Sequence, residues 1–489
     1  MKKKPAKAVA KATKKPATKV AKKAVAKKAV AKASTKVVAK VAEKPVAQPK
    51  GATVCVIGIW HLGAVNAAGF AAKGYRVIGV DLDPKKAKRL QQGTPPLFEP
   101  GLEELTREHL KSGQLRFTSD LSAAKEADYV VIAYDSPVNE RDEVDITPVS
   151  EAARLVTPFL KPNTPIVITS QLPLGTCEKI EARVRAENRK WKSGVVYTPE
   201  NLRLGSAIPR FLDPDMLVLG SSDPRAAEAA LELYRPFATE KLPMDLRSAE
   251  MVKHALNVFL ATSITFINEI ANLSDRLGAD AVAVGQALKL DKRIGKSALM
   301  MPGLGFSGGT LARDVTQLSR FAADLSYRAT LLEAIVTVNE GTFDEIVVRL
   351  TTKLGSLAGK KIGILGLTYK AGTSTVRRSP AVKIIGKLRE AGATCAGYDP
   401  MASDEELAEY SDLVTRKKSV RELARGADAL VLVTEWPEFR ELPFEALAKS
   451  MKHPLLVDSK NFLDPRKIAQ AGLDYQGFGR SVSAKAVSK

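Results

Sequence analysis

Residues 54–83 read VCVIGIWHLGAVNAAGFAAKGYRVIGVDLD, and this stretch decides the fold of the chain. The apolar run Val54–Ile57 stops at Gly58, an alanine-rich segment with helical spacing follows as far as Lys73, and a second apolar run ends at Asp81. This order predicts a strand, a tight turn, a helix and a second strand, which together form a dinucleotide-binding unit. The pyrophosphate of such a ligand rests on the N-terminus of the helix, where unpaired N–H groups and the helix dipole favour negative charge.

The cofactor turn combines a well-placed acid with an altered glycine fingerprint. Asp81 lies 23 residues after Gly58, where a carboxylate accepts hydrogen bonds from the adenosine ribose and favours NAD over NADP. The fingerprint itself reads GIWHLG, so that Trp60 stands at the second glycine and Gly63 at the third. We predict an NAD site that contains Gly58, Trp60, Gly63 and Asp81. The alternative is a Rossmann-like structural domain whose cofactor groove is partly filled by the Trp60 indole.

The net charge of +21 is concentrated at the N-terminus. Residues 1–50 contain 17 lysines and one glutamate, which leaves a charge of +5 for the other 439 residues. This Lys/Ala/Val/Pro tract has no aromatic residue and is predicted to be a disordered tail. It could hold nucleic acid, an anionic membrane surface or an acidic polysaccharide, or it could be a solvated tract with no dedicated partner. The absence of arginine argues against an organellar targeting peptide.

Neither the cysteines nor the histidines have the spacing of a metal site. Cys55, Cys177 and Cys395 form no CxxC pair, and the four histidines form no ligand pair. We therefore expect no metal, no disulfide and a reducing cytoplasmic location. No apolar run reaches the roughly 18 residues that cross a bilayer, and no signal peptide is recognisable, so we expect no membrane span.

Strand and helix signals alternate on both sides of one long helical stretch. From Ser248 to Gly278 apolar residues recur at three- and four-residue steps, which predicts a single helix that joins two domains or pairs across a dimer. The fold class is therefore α/β, with two Rossmann-like parallel-sheet domains joined by a long central helix. The expected divisions are a tail at 1–50, a cofactor domain at 51–247, a helical domain at 248–355, a second α/β domain at 356–480 and a short tail at 481–489.

Three features along the chain are candidates for chemistry. Glu200 follows a short predicted strand, where a carboxylate is a candidate acid or base, although a salt bridge with a neighbouring arginine is the more ordinary role. Lys253 and Asn257 are one helical turn apart and can aim at one ligand. Four glycines occur within residues 303–309, a pattern that suits backbone N–H groups closing on a ligand oxygen or phosphate.

Several ordered motifs resemble the UDP-glucose/GDP-mannose dehydrogenase family from Thr53 to Arg480. The matching segments are PLFEPGLEEL, YTPENLR, EMVKHALNVFLATSITFINE, DKRIGK, GLTYKAGTSTVRRSPA, YDP, TEWPEF, VDSKN and GFGR. The resemblance implies a two-step oxidation of a sugar C6 alcohol to a carboxylate with two NAD, in a homodimer whose active site lies between the domains. In this family a cysteine forms a thiohemiacetal and then a thioester.

The resemblance also implies a role for individual residues. It makes Glu200 the acid or base, assigns oxyanion stabilisation to Lys253 and Asn257, and gives Asp314 the positioning and activation of water. The expected substrate-binding residues are Arg293, which would reach the sugar across the dimer, Gly305 in the glycine-rich loop, and Lys370, Arg377 and Lys460 on the nucleotide side.

The nucleophile loop departs from the family pattern. The family sequence is roughly GFGGSCFPKD, whereas residues 304–314 read LGFSGGTLARD and place Thr310 at the cysteine. An alcohol needs a strong base before it attacks a carbonyl, so Thr310 replaces the thiol poorly. Gln171 also replaces a threonine, and Ser374 and Thr375 replace two acids.

These departures leave three hypotheses open. The first is an NAD-dependent nucleotide-sugar dehydrogenase that stops at the aldehyde or oxidises its hydrate without a covalent intermediate. The second is a catalytically impaired paralogue that binds nucleotide sugars and uses its basic tail on a polyanion. The third is an epimerisation or decarboxylation that regenerates NAD.

Overall fold

The computed structural model describes residues 51–136, 139, 144–307 and 310–480. The predicted tails at 1–50 and 481–489 lie outside the described residues, as do Gly308 and Gly309 of the glycine-rich loop. The described residues form two compact units, of which the first contains residues 51–136 and 145–251 and the second contains residues 139, 144, 252–307 and 310–480.

The first unit is built on an eight-stranded sheet whose strand order is β3-β2-β1-β4-β5-β6-β7-β8. The strands are β1 (Thr53–Ile57), β2 (Arg76–Val80), β3 (Leu115–Thr118), β4 (Tyr129–Ile132), β5 (Ile166–Ile168), β6 (Val195–Tyr197), β7 (Leu217–Ser221) and β8 (Lys241–Met244). The pairs from β3 to β6 are parallel, as the sequence predicts. The pair of β6 with β7 is antiparallel, and β8 pairs parallel to β7 at the edge of the sheet.

Helices of the first unit follow the strands in the expected alternation. They are α1 (His61–Ala72), α2 (Pro84–Gln91), α3 (Leu102–Ser112), α4 (Thr147–Val156), α5 (Thr176–Glu187), α6 (Ala207–Leu212) and α7 (Pro224–Leu233). The helix α1 is buried on nearly every side because alanine and glycine dominate it, and these small residues let it pack closely on the sheet. The cofactor turn is thereby fixed to a rigid layer.

The predicted central helix is α8 (Leu246–Leu277), which begins in the first unit and continues in the second. Among the described residues, α8 is the one helix that is long and apolar enough to cross a membrane. The core helix of a globular protein can have the same length and composition. Its side chains Val258, Ala261, Ile267 and Ala271 are buried in the structure, which is the pattern of a core helix.

The second unit carries a six-stranded parallel sheet with the order β11-β10-β9-β12-β13-β14. Its strands are β9 (Lys361–Leu365), β10 (Thr394–Tyr398), β11 (Thr415–Arg416), β12 (Ala429–Leu432), β13 (Leu455–Asp458) and β14 (Asp474–Gly477). Its helices after α8 are α9 (Ala281–Leu290), α10 (Leu311–Asp324), α11 (Thr330–Leu354), α12 (Pro380–Glu390), α13 (Asp404–Leu407), α14 (Val420–Ala424), α15 (Phe444–Ser450) and α16 (Pro465–Gln470). The predicted α/β fold with two such sheets and a long helix is confirmed.

The two sheets share one strand order. The second has the strand order 3-2-1-4-5-6 of a doubly wound fold, and the first six strands of the first sheet have it too. Asp128 and Asp428 occupy equivalent places, since each accepts a 2.9 Å hydrogen bond from the first residue of the central strand, Thr53 or Lys361. In doubly wound folds ligands bind at the carboxyl ends of the strands, where the order reverses. Each unit therefore has its own expected ligand edge.

Candidate active site

Two glycines build the turn between β1 and α1. Gly58 has a φ of +86°, which favours glycine, and a Cβ at this position would lie 2.7 Å from the Tyr134 ring. A Cβ on Gly63 would lie 1.8 Å from the Gly58 carbonyl oxygen, so α1 can approach the turn only with glycine at this position. These close contacts meet the requirements for the first and third glycines of the fingerprint, and the turn fits a dinucleotide.

The Trp60 indole lies on the Asp81 side of this turn. It is 39% exposed, and the Lys86 ammonium lies 5.9 Å from its ring centroid and 4.0 Å from Asp81 Oδ1. Asp81 is buried at the end of β2, where Oδ2 accepts the Ile59 N–H at 3.3 Å and Oδ1 accepts the Asp83 N–H at 3.0 Å. Each oxygen keeps a second lone pair, so the carboxylate can still bind ribose hydroxyls.

His61 and Glu99 form a polar pair beside the turn that the sequence interpretation missed. His61 Nε2 lies 3.1 Å from Glu99 Oε2. Glu99 is buried and also accepts the N–H groups of Gly205 at 2.8 Å and Ala207 at 2.7 Å. The glutamate thus ties the first residue of α1 to the loop that follows β6. The EPGL motif was the available signal, but two of the partners of Glu99, Gly205 and Ala207, are over a hundred residues away.

Glu200 occupies the strand-end position that the sequence predicts. Its N–H donates to Thr169 O at 3.3 Å, and its Oε2 accepts the Leu202 N–H at 2.8 Å. The neighbouring loop of residues 170–176 is held by Glu250, a fully buried residue of α8. The Glu250 carboxylate accepts the N–H groups of Gly175 at 2.5 Å and Cys177 at 2.9 Å, which caps the N-terminus of α5.

In the second unit α8 and α10 bring several predicted catalytic residues together. Asn257 Nδ2 donates to Asp314 Oδ2, and His254 Nδ1 lies 2.8 Å from Asp314 Oδ1. Asp314 and His254 are fully buried, and Asn257 and Lys253 are 5% exposed. Asp314 lies in the first turn of α10, and Thr310 is the residue that precedes this helix. The sequence interpretation placed Asn257 and Asp314 in one site but did not include His254.

In the glycine-rich loop, the backbone N–H groups of residues 303–306 donate hydrogen bonds to other parts of the protein and are not available to a ligand. Gly303 donates to Asn268 Oδ1 at 2.9 Å, Leu304 to Ser459 O at 2.6 Å, and Gly305 to Thr342 Oγ1 at 3.0 Å. Phe306 donates to Asn339 Oδ1 at 2.8 Å, and the Asn339 amide returns a hydrogen bond to Phe306 O at 3.0 Å. The expectation that this part of the loop closes on a ligand with its N–H groups was therefore wrong for residues 303–306.

Close packing leaves no space for a side chain at Gly305. A Cβ there would lie 2.3 Å from Asn339 Oδ1 and 2.7 Å from Thr342 Oγ1, the two side chains that hold the loop. A larger residue would push the loop away from α11. Gly305 thus shapes the wall of the site through its backbone.

A cavity of about 590 Å³ opens in the second unit at the carboxyl ends of β9, β12 and β13. Its described lining includes Gly305, Thr310, Lys370 and Lys460, four of the predicted site residues. Lys289 and Arg440 add further positive charge, and Lys460 Nζ lies 3.8 Å from Glu435 Oε2. A concave surface with several cations and the aromatic rings of its lining suits a phosphorylated organic ligand.

Two predicted substrate residues do not line this cavity. Arg293 is highly exposed, and its guanidinium pairs with the Asp291 carboxylate through Nε at 3.0 Å and Nη2 at 2.7 Å. Arg377 is also exposed and is absent from the described lining of the cavity. The prediction that they contact substrate stays a prediction.

All three thiols are buried. Burial raises the pKa of the Cys55 thiol to about 12 and that of Cys395 to about 11. Burial, together with the Glu250 carboxylate, also raises the pKa of Cys177 well above its ordinary value. A nucleophilic cysteine needs an accessible, easily ionised thiol, so none of the three is suited to replace the missing one.

An acid-terminated dinucleotide turn, a cation-lined cavity, and a buried cluster of a lysine, an asparagine and an aspartate are features of a nucleotide-sugar dehydrogenase. Sequence profiles agree: the UDP-glucose/GDP-mannose dehydrogenase family matches with its NAD binding domain at residues 52–238, its central domain at 247–341 and its UDP binding domain at 363–465. The chain belongs to this family. The predicted family and the predicted cofactor, NAD, are thereby confirmed.

Individual relatives extend over nearly the whole chain. The UDP-glucose 6-dehydrogenase of Rhizobium meliloti (strain 1021) is 38% identical over 437 residues, which are 87% of this chain and 99% of that protein. TuaD, a UDP-glucose 6-dehydrogenase of Bacillus subtilis (strain 168), is 36% identical over 87% of this chain and 93% of its own length. Among solved structures, the UDP-glucose dehydrogenase of Pyrobaculum islandicum is 35% identical, superposes with a TM-score of 0.78 and covers 90% of this chain and 100% of its own. The chain catalyses NAD-dependent oxidation of a nucleotide sugar.

Proposed function

We propose that the substrate is a UDP-glucose-like nucleotide sugar and that its C6 alcohol is oxidised without a covalent enzyme intermediate. The observation that supports this proposal most strongly is the buried contact between Asn257 on α8 and Asp314 on α10. Thr310 is the residue that directly precedes α10. An amide and a carboxylate held out of water, close in the chain to the position of the family's nucleophile, suit the stabilisation of charge next to reacting atoms. The relatives that oxidise UDP-glucose support the choice of substrate.

Each residue of the proposed site has a separate role in the reaction. Gly58, Gly63 and Asp81 hold NAD, which supplies the hydride acceptor. Lys253 and Asn257 stabilise negative charge on the sugar oxygen, Asp314 orders water, and Glu200 exchanges the proton. Lys370 and Lys460 neutralise the diphosphate in the cavity that they line. Oxidation of the aldehyde then proceeds through its hydrate, because Thr310 does not supply a thiolate.

The test is turnover with NAD and a panel of UDP- and GDP-sugars, with NADH and sugar products quantified together. We expect NADH from a UDP-hexose, and we expect Thr310→Cys to raise the share of carboxylate product because a thiol can carry the intermediate. Thr310→Ser is the matched control and should leave the product ratio unchanged. Lack of NADH with every sugar, despite binding measured by calorimetry, would contradict the proposal.

A binding paralogue is the second candidate, favoured by the combination of Thr310, Gln171 and Trp60. It predicts tight calorimetric binding of nucleotide sugars without NADH, and no gain from Thr310→Cys. A reaction that regenerates NAD would instead change the sugar without net NADH, which mass spectrometry of the product would detect.

We also propose that the lysine-rich tail of residues 1–50 binds a polyanion, with nucleic acid as the first to test. Its 17 lysines support this, since each phosphate neutralised releases a counterion. Binding of labelled duplex DNA should weaken steeply between about 50 and 200 mM salt. The binding should disappear when residues 2–50 are deleted, while the turnover of free sugar nucleotide should not change. Equal DNA binding by the truncated chain would refute the proposal.

A further inference from the structure

His254 is a buried, titratable residue of the second unit that the proposed chemistry does not use. It lies on α8 between Lys253 and Asn257, and its ring is fully buried, with its centroid 6.5 Å from that of Phe321. A buried imidazole needs a hydrogen-bonding partner, and Nδ1 has one in Asp314 Oδ1 at 2.8 Å. His254 therefore belongs to the same network as the proposed catalytic residues.

The hydrogen bonds of Asp314 have a defined direction. An ionised carboxylate only accepts, so Asn257 contributes an N–H to Oδ2 and His254 contributes its Nδ1–H to Oδ1. This fixes the tautomer or charge state of the imidazole, and it fixes which end of the Asn257 side chain faces Asp314. An amide nitrogen has two N–H groups. Asn257 uses one of its two on Asp314.

We propose that His254 is a positioning residue that acts on the reaction through Asp314 and Asn257. Its N–H holds the Asp314 carboxylate in place, the carboxylate holds the Asn257 amide, and the second amide N–H meets the sugar oxygen. The inference rests on the proposed function. In that reaction the C6 hydroxyl gives its proton to a base and C6 gives a hydride to NAD, so the oxygen carries negative charge as the hydride leaves. An amide donor held in place lowers the cost of that charge.

Burial explains why a single contact can have this effect. Without the imidazole N–H, the fully buried Asp314 carboxylate loses one of the donors that hold it, and its position is less tightly fixed. Any movement of Asp314 shifts Asn257 with it. Small displacements of groups at the reacting atoms can cost up to about a hundredfold in rate.

The test compares two substitutions of His254 by steady-state kinetics. His254→Leu removes the donor and should lower kcat by about 10- to 100-fold, with a change below about threefold in the KM of the sugar nucleotide. His254→Asn places an amide N–H near the position of Nδ1 and should recover most of this loss. His453→Leu is the matched control. It removes another His–Asp contact, the one of 2.9 Å between His453 and Asp428, which lies at the amino ends of β12 and β13 and therefore away from the cavity. It should leave kcat unchanged.

A double-variant comparison separates this role from general destabilisation. If His254 acts through Asn257, adding His254→Leu to Asn257→Ala should slow the enzyme by less than about threefold. Losses that multiply would overturn the proposal, as would equal losses in the Leu and Asn variants when both remain folded by circular dichroism.

A second readout does not depend on turnover. The chain has four histidines, so 15N-histidine spectra can be assigned by substitution. The Nδ1 proton of His254 should exchange slowly and shift downfield, and it should vanish in Asp314→Leu. Its absence in the unsubstituted enzyme would overturn the proposal. If that proton is present and no sugar nucleotide yields NADH, the proposed function is wrong, whereas the hydrogen bond between His254 and Asp314 is confirmed.

Discussion

At the scale of single residues, the buried thiols make a direct prediction about alkylation. Because burial raises the pKa of each thiol, iodoacetamide at pH 8 should neither label the native enzyme nor reduce its NADH production. Thr310→Cys should become labelled, since Thr310 is exposed and lines the cavity. Mass spectrometry after digestion locates the label, and Thr310→Ser is the control. Inhibition of the unsubstituted enzyme by alkylation would contradict the absence of a reactive thiol.

Asp399 gives a prediction for acid stability. Burial alone would raise the pKa of this carboxyl, but the N–H groups of Thr368, Met401 and Leu367 outweigh that effect and lower its pKa below 3.8. The ionised form stabilises the fold at pH values above the unfolded pKa, and this contribution is lost as the pH falls through the lower, folded value.

The measurement is urea unfolding of Asp399→Asn followed by circular dichroism. At pH 7 the variant should lose about 3 kcal/mol, because an amide N–H would face donors that now meet a carboxylate oxygen. The difference from the unsubstituted chain should shrink as the pH falls below about 4. Asp404→Asn is the control, since that carboxylate is 88% exposed and pairs with Arg416 at the surface. A pH-independent difference would contradict the assignment.

Sequence patterns predict which residues lie together more readily than they predict what each residue touches. Asn257 and Asp314 were placed together because their motifs could be matched, and their contact agrees. His254 and Glu99 escaped notice because a buried partner 60 or more residues away leaves no local signal. The glycine-rich loop misled for the opposite reason: its composition suggested free N–H groups, whereas Asn339 and Thr342 on α11 accept two of them.

At the scale of elements, Glu250 connects the first turn of α8 with the start of α5. Glu250→Gln leaves one acceptor oxygen and turns an N–H₂ group toward the N–H of Gly175 or Cys177. We expect a loss of about 2 kcal/mol in the free energy of unfolding, from the buried donor left unpaired. Thermal and urea unfolding measure this loss.

The adjacent control is Glu178→Gln, because its ion pair with Arg247 is exposed. It should cost less than about 1 kcal/mol. Equal losses in the two variants would mean that Glu250 contributes no more than a surface ion pair.

Two strands that the sequence interpretation did not include are short or lie at a sheet edge. The strand β11 has two residues, too few for any periodicity, and β8 contains Pro243, which argues against a strand in sequence but is tolerated at the edge of a sheet. By contrast, β1, β4, β9 and β12 are central, buried and nearly continuous in apolar residues. Such strands are visible in the sequence because both of their faces are covered.

At the scale of the whole molecule, α8 leaves one apolar face exposed. Phe259, Phe266 and Leu273 recur at seven-residue steps on this face, with exposures of 68%, 46% and 48%. Large aromatic side chains in such a row are typical of a surface that another chain covers. We propose that a second copy of this chain covers it, which gives the homodimer that the sequence resemblance implies.

Light scattering after size-exclusion chromatography should give the mass of a dimer, twice the 52.6 kDa of the chain. Phe266→Glu puts a charge into the proposed interface, and it should shift the mass toward that of the monomer at micromolar concentration because an unpaired buried charge costs several kcal/mol. Leu325→Glu changes an apolar residue of 79% exposure outside α8 and should leave the dimer intact. A monomeric mass for the unsubstituted chain at every concentration would contradict the proposed dimer.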